Sequence, residues 1–103
     1  MQLVELQNNA AAFQEAGVQV VAVFASSLDS VTGIQASTGV TYPVLADPDH
    51  QAAEAYGVYN LLGDGLAAPA VFVVDTDGRI VWGFIGQNVQ DRPGVQTILE
   101  HLP

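Results

Sequence analysis

The sequence predicts an α/β protein, and three features carry that prediction. Val18–Phe24 (VQVVAVF) and Ala70–Val74 (AVFVV) are near-continuous apolar runs rich in β-branched residues, as strands buried within a sheet are. Segments with apolar residues three and four apart lie between and around them, as amphipathic helices do. Helix passes to strand without room for a hairpin until the end, giving the order α-β-α-β-α-β-β-α.

The first helix is expected over residues 2–16, with Leu3, Leu6, Ala10 and Phe13 on one face. Gly17 stops it in the left-handed position. Its start has no Ser, Thr, Asp or Asn before the apolar stripe begins, so the helix opens uncapped. Val18–Phe24 then reads as a central parallel strand. Ser26, Ser27, Asp29 and Ser30 offer caps for a second helix running to about Ser37, with Val31 and Ile34 inward and Gly39 as terminator. Thr41–Ala46 reads as a short strand, and Pro43, which lacks a ladder donor, puts it at a sheet edge. Asp47 and Pro48 are expected to open a third helix, with an apolar face of Ala52, Ala53, Ala55 and Tyr56 and an end at Gly57. Asn60–Ala68 is a Gly-containing loop.

Residues 69–86 (PAVFVVDTDGRIVWGFIG) form a hairpin with a proline at its entrance. Asp75-Thr76-Asp77-Gly78 suits a type I turn closed by a left-handed Gly. Gly83 marks a bulge or a close backbone approach in the returning strand. A last helix is expected after Asp91 as cap and Pro93 in its first turn, with Val95, Ile98, Leu99 and Leu102 as the buried stripe.

The chain has 103 residues, so residues 1–103 are expected to form a single domain. Half of them are apolar, which excludes a disordered chain. No apolar run approaches the ~20 residues of a membrane span, and no charged segment with a hydrophobic signal core opens the chain. A cytoplasmic location is the expectation. The net charge is −9, with Arg79 and Arg92 the only basic side chains besides histidine. Such a surface repels phosphate backbones and anionic lipid, so neither nucleic acid nor membrane is an expected partner. There is no cysteine, which excludes disulfides, thiolate metal sites and thiol redox catalysis in this chain.

Several constellations invite chemistry and have plainer explanations. Asp47, Asp49 and His50 could hold a metal, but acidic residues at a helix start are favoured by the helix dipole alone. DTDG lacks the further acidic ligands and closing Glu of a calcium loop. No G-x-S-x-G elbow serves a serine hydrolase, and His101 suits the last turn of a helix. Gly63-Asp64-Gly65 lacks the G-K-[ST] continuation of a phosphate loop. Tyr59 and Trp82 read as core aromatics. No cofactor is implied, and no catalytic or metal-ligating residue is assigned.

Four segments, QLVELQ, VQVVAVFASSLDS, YPVLADPDHQAAEAYGV and PAVFVVDTDGRIVWGFIG, follow in an order that spans nearly the whole chain. In these the chain resembles the peroxiredoxin family (alkyl hydroperoxide reductase/thiol-specific antioxidant, or redoxin) of the thioredoxin superfamily. The resemblance implies a thioredoxin-like three-layer α/β sandwich, here truncated at the N-terminus. It also implies that Ala68 and Pro69 are what remains of the redox-site loop, with Pro69 in the place of the cis-proline of thioredoxin-like proteins. Many peroxiredoxins carry an Arg where Pro69 stands. The family's peroxidatic Cys would fall just ahead of Met1, and the strand leading to it is absent. Two accounts are expected to explain this: a coding start further upstream, or a short chain that has lost its chemistry. In the family's fold the absent strand is central, between the partners of Val18–Phe24 and Ala70–Val74. The remaining strands are then expected to close up directly, or two chains to associate. A homodimer is the preferred expectation, and a Cys-free interaction module is the alternative to a redox lineage.

Overall fold

The computed structural model describes residues 2–61, 63, 65–88 and 91–102. Nine elements follow in order: α1 Gln2–Asn8, α2 Ala10–Glu15, β1 Ala22–Phe24, α3 Leu28–Thr38, β2 Val44–Ala46, α4 Gln51–Ala55, β3 Ala70–Val74, β4 Ile80–Ile85 and α5 Val95–Glu100. The expected order is thus recovered, with the first helix broken in two. The break is at Asn9, whose side-chain Nδ2 donates to Glu5 O over 2.8 Å. Asparagine offers the backbone this local alternative to the helical bond. Leu3 and Phe13 are nonetheless both buried, so the stripe survives the break. Gly17 closes α2 at φ 72°, with Val18 N–H donating to Phe13 O and Gly17 N–H to Gln14 O.

α3 matches its sequence pattern closely. Ser27 caps it by accepting from Ser30 N–H, and Gly39 ends it in the left-handed region. Val31 is 2% exposed. The third helix is shorter than expected. It begins at Gln51, after a turn in which His50 takes φ 48°. Asp47 still serves it from a distance, its Oδ2 accepting from Ala53 N–H at 3.0 Å.

The sheet departs most from expectation. The strands form two separate two-stranded sheets, β1-β2 parallel and β3-β4 antiparallel. Among the described residues the two pairs do not close up directly on one another. Among the described residues β1 has β2 as its one ladder neighbour, and only Ala22–Phe24 of the expected run is paired. Val21 and Val23 are about half exposed (48% and 50%). A strand's length is set by what it pairs with, and β1 is offered only three residues of β2. β2 keeps its predicted edge position.

The hairpin forms as predicted. Gly78 sits at φ 82°, and Asp75 Oδ1 accepts from Asp77 N–H and Arg79 N–H at 2.9 Å each. The bulge lies elsewhere than Gly83. Val73 pairs Trp82 while Val74 pairs Ile80, so Val81 is the extra residue. Gly83 is instead a close approach, since a Cβ there would stand 3.1 Å from the Phe72 ring. β3 is not covered on both faces either: Val73 is buried but Val74 is 44% exposed.

Three apolar clusters hold these pieces. Leu3, Val40 and Tyr42 centre one, over Val20, Ala22, Phe24, Ile34 and Val44. Phe13, Val95 and Ile98 centre the second, against Val18, Val20, Val71 and Trp82. Ala53, Val58 and Ala68 centre the third, with Ala25, Ala70 and Phe72.

Candidate functional site

The candidate site is the loop that enters β3. Ala68 is 6% exposed, and Pro69 is buried beside it. Ala68 N–H donates to Val58 O at 2.9 Å, and Pro69 O accepts from Gly86 N–H at 2.7 Å. The loop is therefore pinned on both sides by backbone bonds. Among the described residues no peptide bond is cis, so the Ala68–Pro69 bond is trans, contrary to what the resemblance implies for Pro69. Trans is the preferred form of an X–Pro bond by about 0.5–1 kcal/mol, and both flanking backbone groups are satisfied in it.

Gly86 is the residue of this site that the sequence did not mark. A Cβ at Gly86 would meet Asp91 O and come within 2.9 Å of the Pro69 ring. Its φ is not in the left-handed region, so the demand is for space rather than for backbone freedom. Only the pairing of Gly86 with Pro69 exposes this, and nothing in IGQNVQD distinguishes it from an ordinary turn glycine. Asp91, expected to cap the last helix, instead accepts from Gln87 N–H through Oδ2 at 2.9 Å and so closes the loop against the proline.

The last helix is capped from the other end of the chain. Its N-cap residue, Gly94, has no side chain to offer. Glu5 Oε1 of α1 accepts from Val95 N–H at 3.1 Å, a carboxylate at a helix N-terminus where the dipole favours it. Arg92 Nη1 donates to Gln2 Oε1 at 3.2 Å. The start of α1 is thus tied to the segment that follows the Pro69–Gly86 contact.

The other candidate residues do structural work. Asp47 is spent on Ala53 N–H. His50 stacks on Tyr59 with ring centroids 3.8 Å apart and planes 7° apart. Its Nδ1 lies 3.2 Å from Glu54 Oε1, close enough for an ion pair when the ring is protonated but without hydrogen-bond alignment. Among the described residues no three His, Asp or Glu side chains are grouped to hold a metal. His101 Nδ1 lies 2.8 Å from Thr97 O, and its ring stacks on Trp82 at 4.4 Å. Tyr59 bridges to Ala67, and Asp64 of the Gly63–Gly65 motif lies outside the described residues. The loop around Pro69 offers backbone amides and carboxylates, and the sequence supplies no cysteine to it.

This arrangement, a proline-headed strand and its hairpin against a helix from the chain start and a helix from the chain end, is that of the thioredoxin-like class. The Enterococcus faecalis AhpC structure superposes with a TM-score of 0.84 at 27% identity, covering 96% of this chain and 61% of that one. Mycobacterium tuberculosis AhpC gives 0.83 at 21% identity, covering 97% of this chain and 57% of its own, a likeness of fold. The redoxin family model matches residues 1–99. A Mycobacterium tuberculosis (strain H37Rv) protein named as a peroxiredoxin is 31% identical over 85 residues, which is 78% of this chain and 54% of that protein. The chain belongs to the redoxin family, on its peroxiredoxin side. It spans about half the length of the peroxiredoxin relatives it matches.

Proposed function

We propose that residues 1–103 act as a single peroxiredoxin-like domain that does not reduce peroxide by thiol chemistry. One observation carries this reading: the chain has the family's fold and no cysteine. Peroxide reduction of the thiol type needs a thiolate to take the oxygen, becoming a sulfenic acid that a second thiol then reduces. The only sulfur here is the Met1 thioether. In this reading Ala68 and Pro69 are the remnant of the redox-site loop, retained because they lock the hairpin to its flanking segments. The test is peroxide consumption by the purified chain with a thiol reductant. A rate equal to that of buffer is expected, and thiol-dependent turnover above it would sink the proposal.

The alternative, a non-catalytic interaction module, is favoured by the apolar edge of β4. Ile80, Val81 and Ile85 are 54%, 49% and 42% exposed on a strand whose only ladder partner among the described residues is β3. Unprotected apolar edges pair with other strands. We therefore propose a homodimer formed by antiparallel pairing of two β4 edges. Sedimentation should give a dimer, and Val81→Lys should return a monomer; a monomeric wild type would refute it. Among the described residues no helix is long and apolar enough to cross a membrane. A cytoplasmic location is part of the proposal, and fractionation of cells expressing the native gene tests it.

A further inference from the structure

A cavity of about 280 Å³ opens beside the break between α1 and α2, and no residue of the Pro69 loop lines it. Its walls come from those two helices, from the segment between Gly17 and β1, and from the segment that enters β2. The local sequence explains the space. Leu6, Ala10 and Phe13 stand four and three residues apart, so they share one helical face across the break at Asn9. Ala10, in the middle of that face, offers only a methyl group. On the facing wall the β1–β2 register starts at Ala22 and Val44, so Val18, Val20 and Tyr42 lie ahead of the ladder. Phe13 and Tyr42 are buried and give the cavity an apolar floor. Gln14, Gln19 and Thr41 are exposed at its rim.

Two carboxamides of the lining are set in opposite senses. Thr41 N–H donates to Gln7 Oε1 at 2.8 Å, and Thr41 Oγ1 lies 3.2 Å from the same oxygen. A backbone N–H can only donate, so this fixes the oxygen end of Gln7 and leaves its Nε2 as a donor. Gln19 Nε2 donates to Val20 O at 2.8 Å, which leaves Gln19 Oε1 as an acceptor. Among the described residues neither free end has a protein partner. The lining holds no Asp, Glu, Lys, Arg or His, although the chain carries −9. An anion would meet that field with no cation to receive it, and a cation would find no carboxylate in the cavity. We infer that this cavity binds a small neutral molecule with an apolar body and an amide-type edge, a carbonyl beside an N–H. The carbonyl accepts from Gln7 Nε2, the N–H donates to Gln19 Oε1, and the body lies against Leu6, Val18 and Val20. A cavity of ~150 Å³ takes benzene, so this one suits roughly a dozen non-hydrogen atoms. This goes beyond the reading of the domain as catalytically silent and does not depend on it.

The experiment titrates benzamide into the wild-type chain and follows backbone and carboxamide resonances by NMR. Saturable shifts are expected at Gln7, Gln19 and Thr41, with a Kd of roughly 1 mM. N,N-dimethylbenzamide keeps the carbonyl and the apolar body but has no N–H, and should bind about fivefold more weakly. Benzoate, similar in size but anionic, should bind at least about tenfold more weakly. Gln19→Leu removes the acceptor. It should weaken benzamide about fivefold and leave dimethylbenzamide unchanged, which a merely structural role for Gln19 would not do. Ala10→Phe fills the space and should abolish saturation by both amides. Gln19 is exposed, so its variant decides the matter where Ala10→Phe fails to fold. Absence of saturable shifts with benzamide would overturn the inference. So would equal affinity for all three compounds, which is apolar adsorption. Saturable shifts centred on Ile80, Val81 and Ile85 would put the binding on the β4 edge, and would overturn it too.

Discussion

The two halves of the sheet differ in how their strands are held. β3 and β4 pair over five positions and share a tight turn; β1 and β2 pair over three and are joined through α3. The hairpin needs only local contacts to form, and its turn is fixed by Asp75 and Gly78. The parallel pair needs a crossover, and parallel pairing is slightly less stable per residue. Among the described residues no ladder joins the two pairs, and apolar clusters hold them together instead. A two-stranded ribbon alone is marginal in water, so both halves depend on the clusters beneath them, and chiefly on Phe13.

The largest effect is therefore expected at that seam. Phe13 is 3% exposed and, with Val95 and Ile98, centres the cluster against which Val20 of the parallel half and Val71 and Trp82 of the hairpin half pack. Phe13→Ala should cost about 3–5 kcal/mol. Denaturant unfolding followed by Trp82 fluorescence and by far-UV circular dichroism checks it. If the halves are coupled through Phe13, the two probes coincide in the wild type and separate in the variant. A loss below about 1 kcal/mol would mean that the halves are joined elsewhere.

A smaller effect is expected from a change confined to the hairpin half. Gly86→Ala drives a methyl group into Asp91 O and the Pro69 ring, and overpacking of this kind costs about 1–3 kcal/mol. Hydrogen exchange at the Gly86 amide, which is bonded to Pro69 O, should quicken while that of Ala22 in the parallel half holds. Equal acceleration in both halves would remove the distinction between them.

The same contrast separates what was legible in the sequence from what was not. Signals written within a few residues came through: the DTDG turn, the stops at Gly17, Gly39 and Gly57, and the inward Val31 and Ile34. Features that depend on distant partners did not. β1 reads as seven apolar residues and forms three paired ones, because its length depends on its neighbours. Glu5 caps a helix that begins ninety positions further on, and Gly86 is required by a proline on another strand. The fold class and family were readable from the order of elements and the quoted segments. Ala68 and Pro69 could be marked in the sequence only as a candidate location; the trans bond and the Gly86 contact could not be marked there, because they are properties of the packed loop.

The smallest effect belongs to the parallel half alone and gives it a pH signature. The Tyr42 hydroxyl donates to Leu3 O at 2.9 Å, tying the segment before β2 to α1, and burial raises its pKa above the usual 10.0. The folded state keeps this proton at a pH where the unfolded chain releases it. Stability from Tyr42 is accordingly complete below the unfolded pKa of about 10 and is lost as pH rises through the higher folded value. Tyr42→Phe should cost about 1 kcal/mol at neutral pH, the worth of one hydrogen bond. Above pH ~10 the gap between the two proteins should close, since the wild type alone loses this contribution there. Thermal melts of both proteins across that range check the sign. A gap that widens with pH would mean that the hydroxyl is stabilised as the phenolate, and that burial is not what governs it. Hydrogen exchange should place the loss at neutral pH in α1 and β2, with the hairpin amides unchanged, which separates this tie from the seam at Phe13.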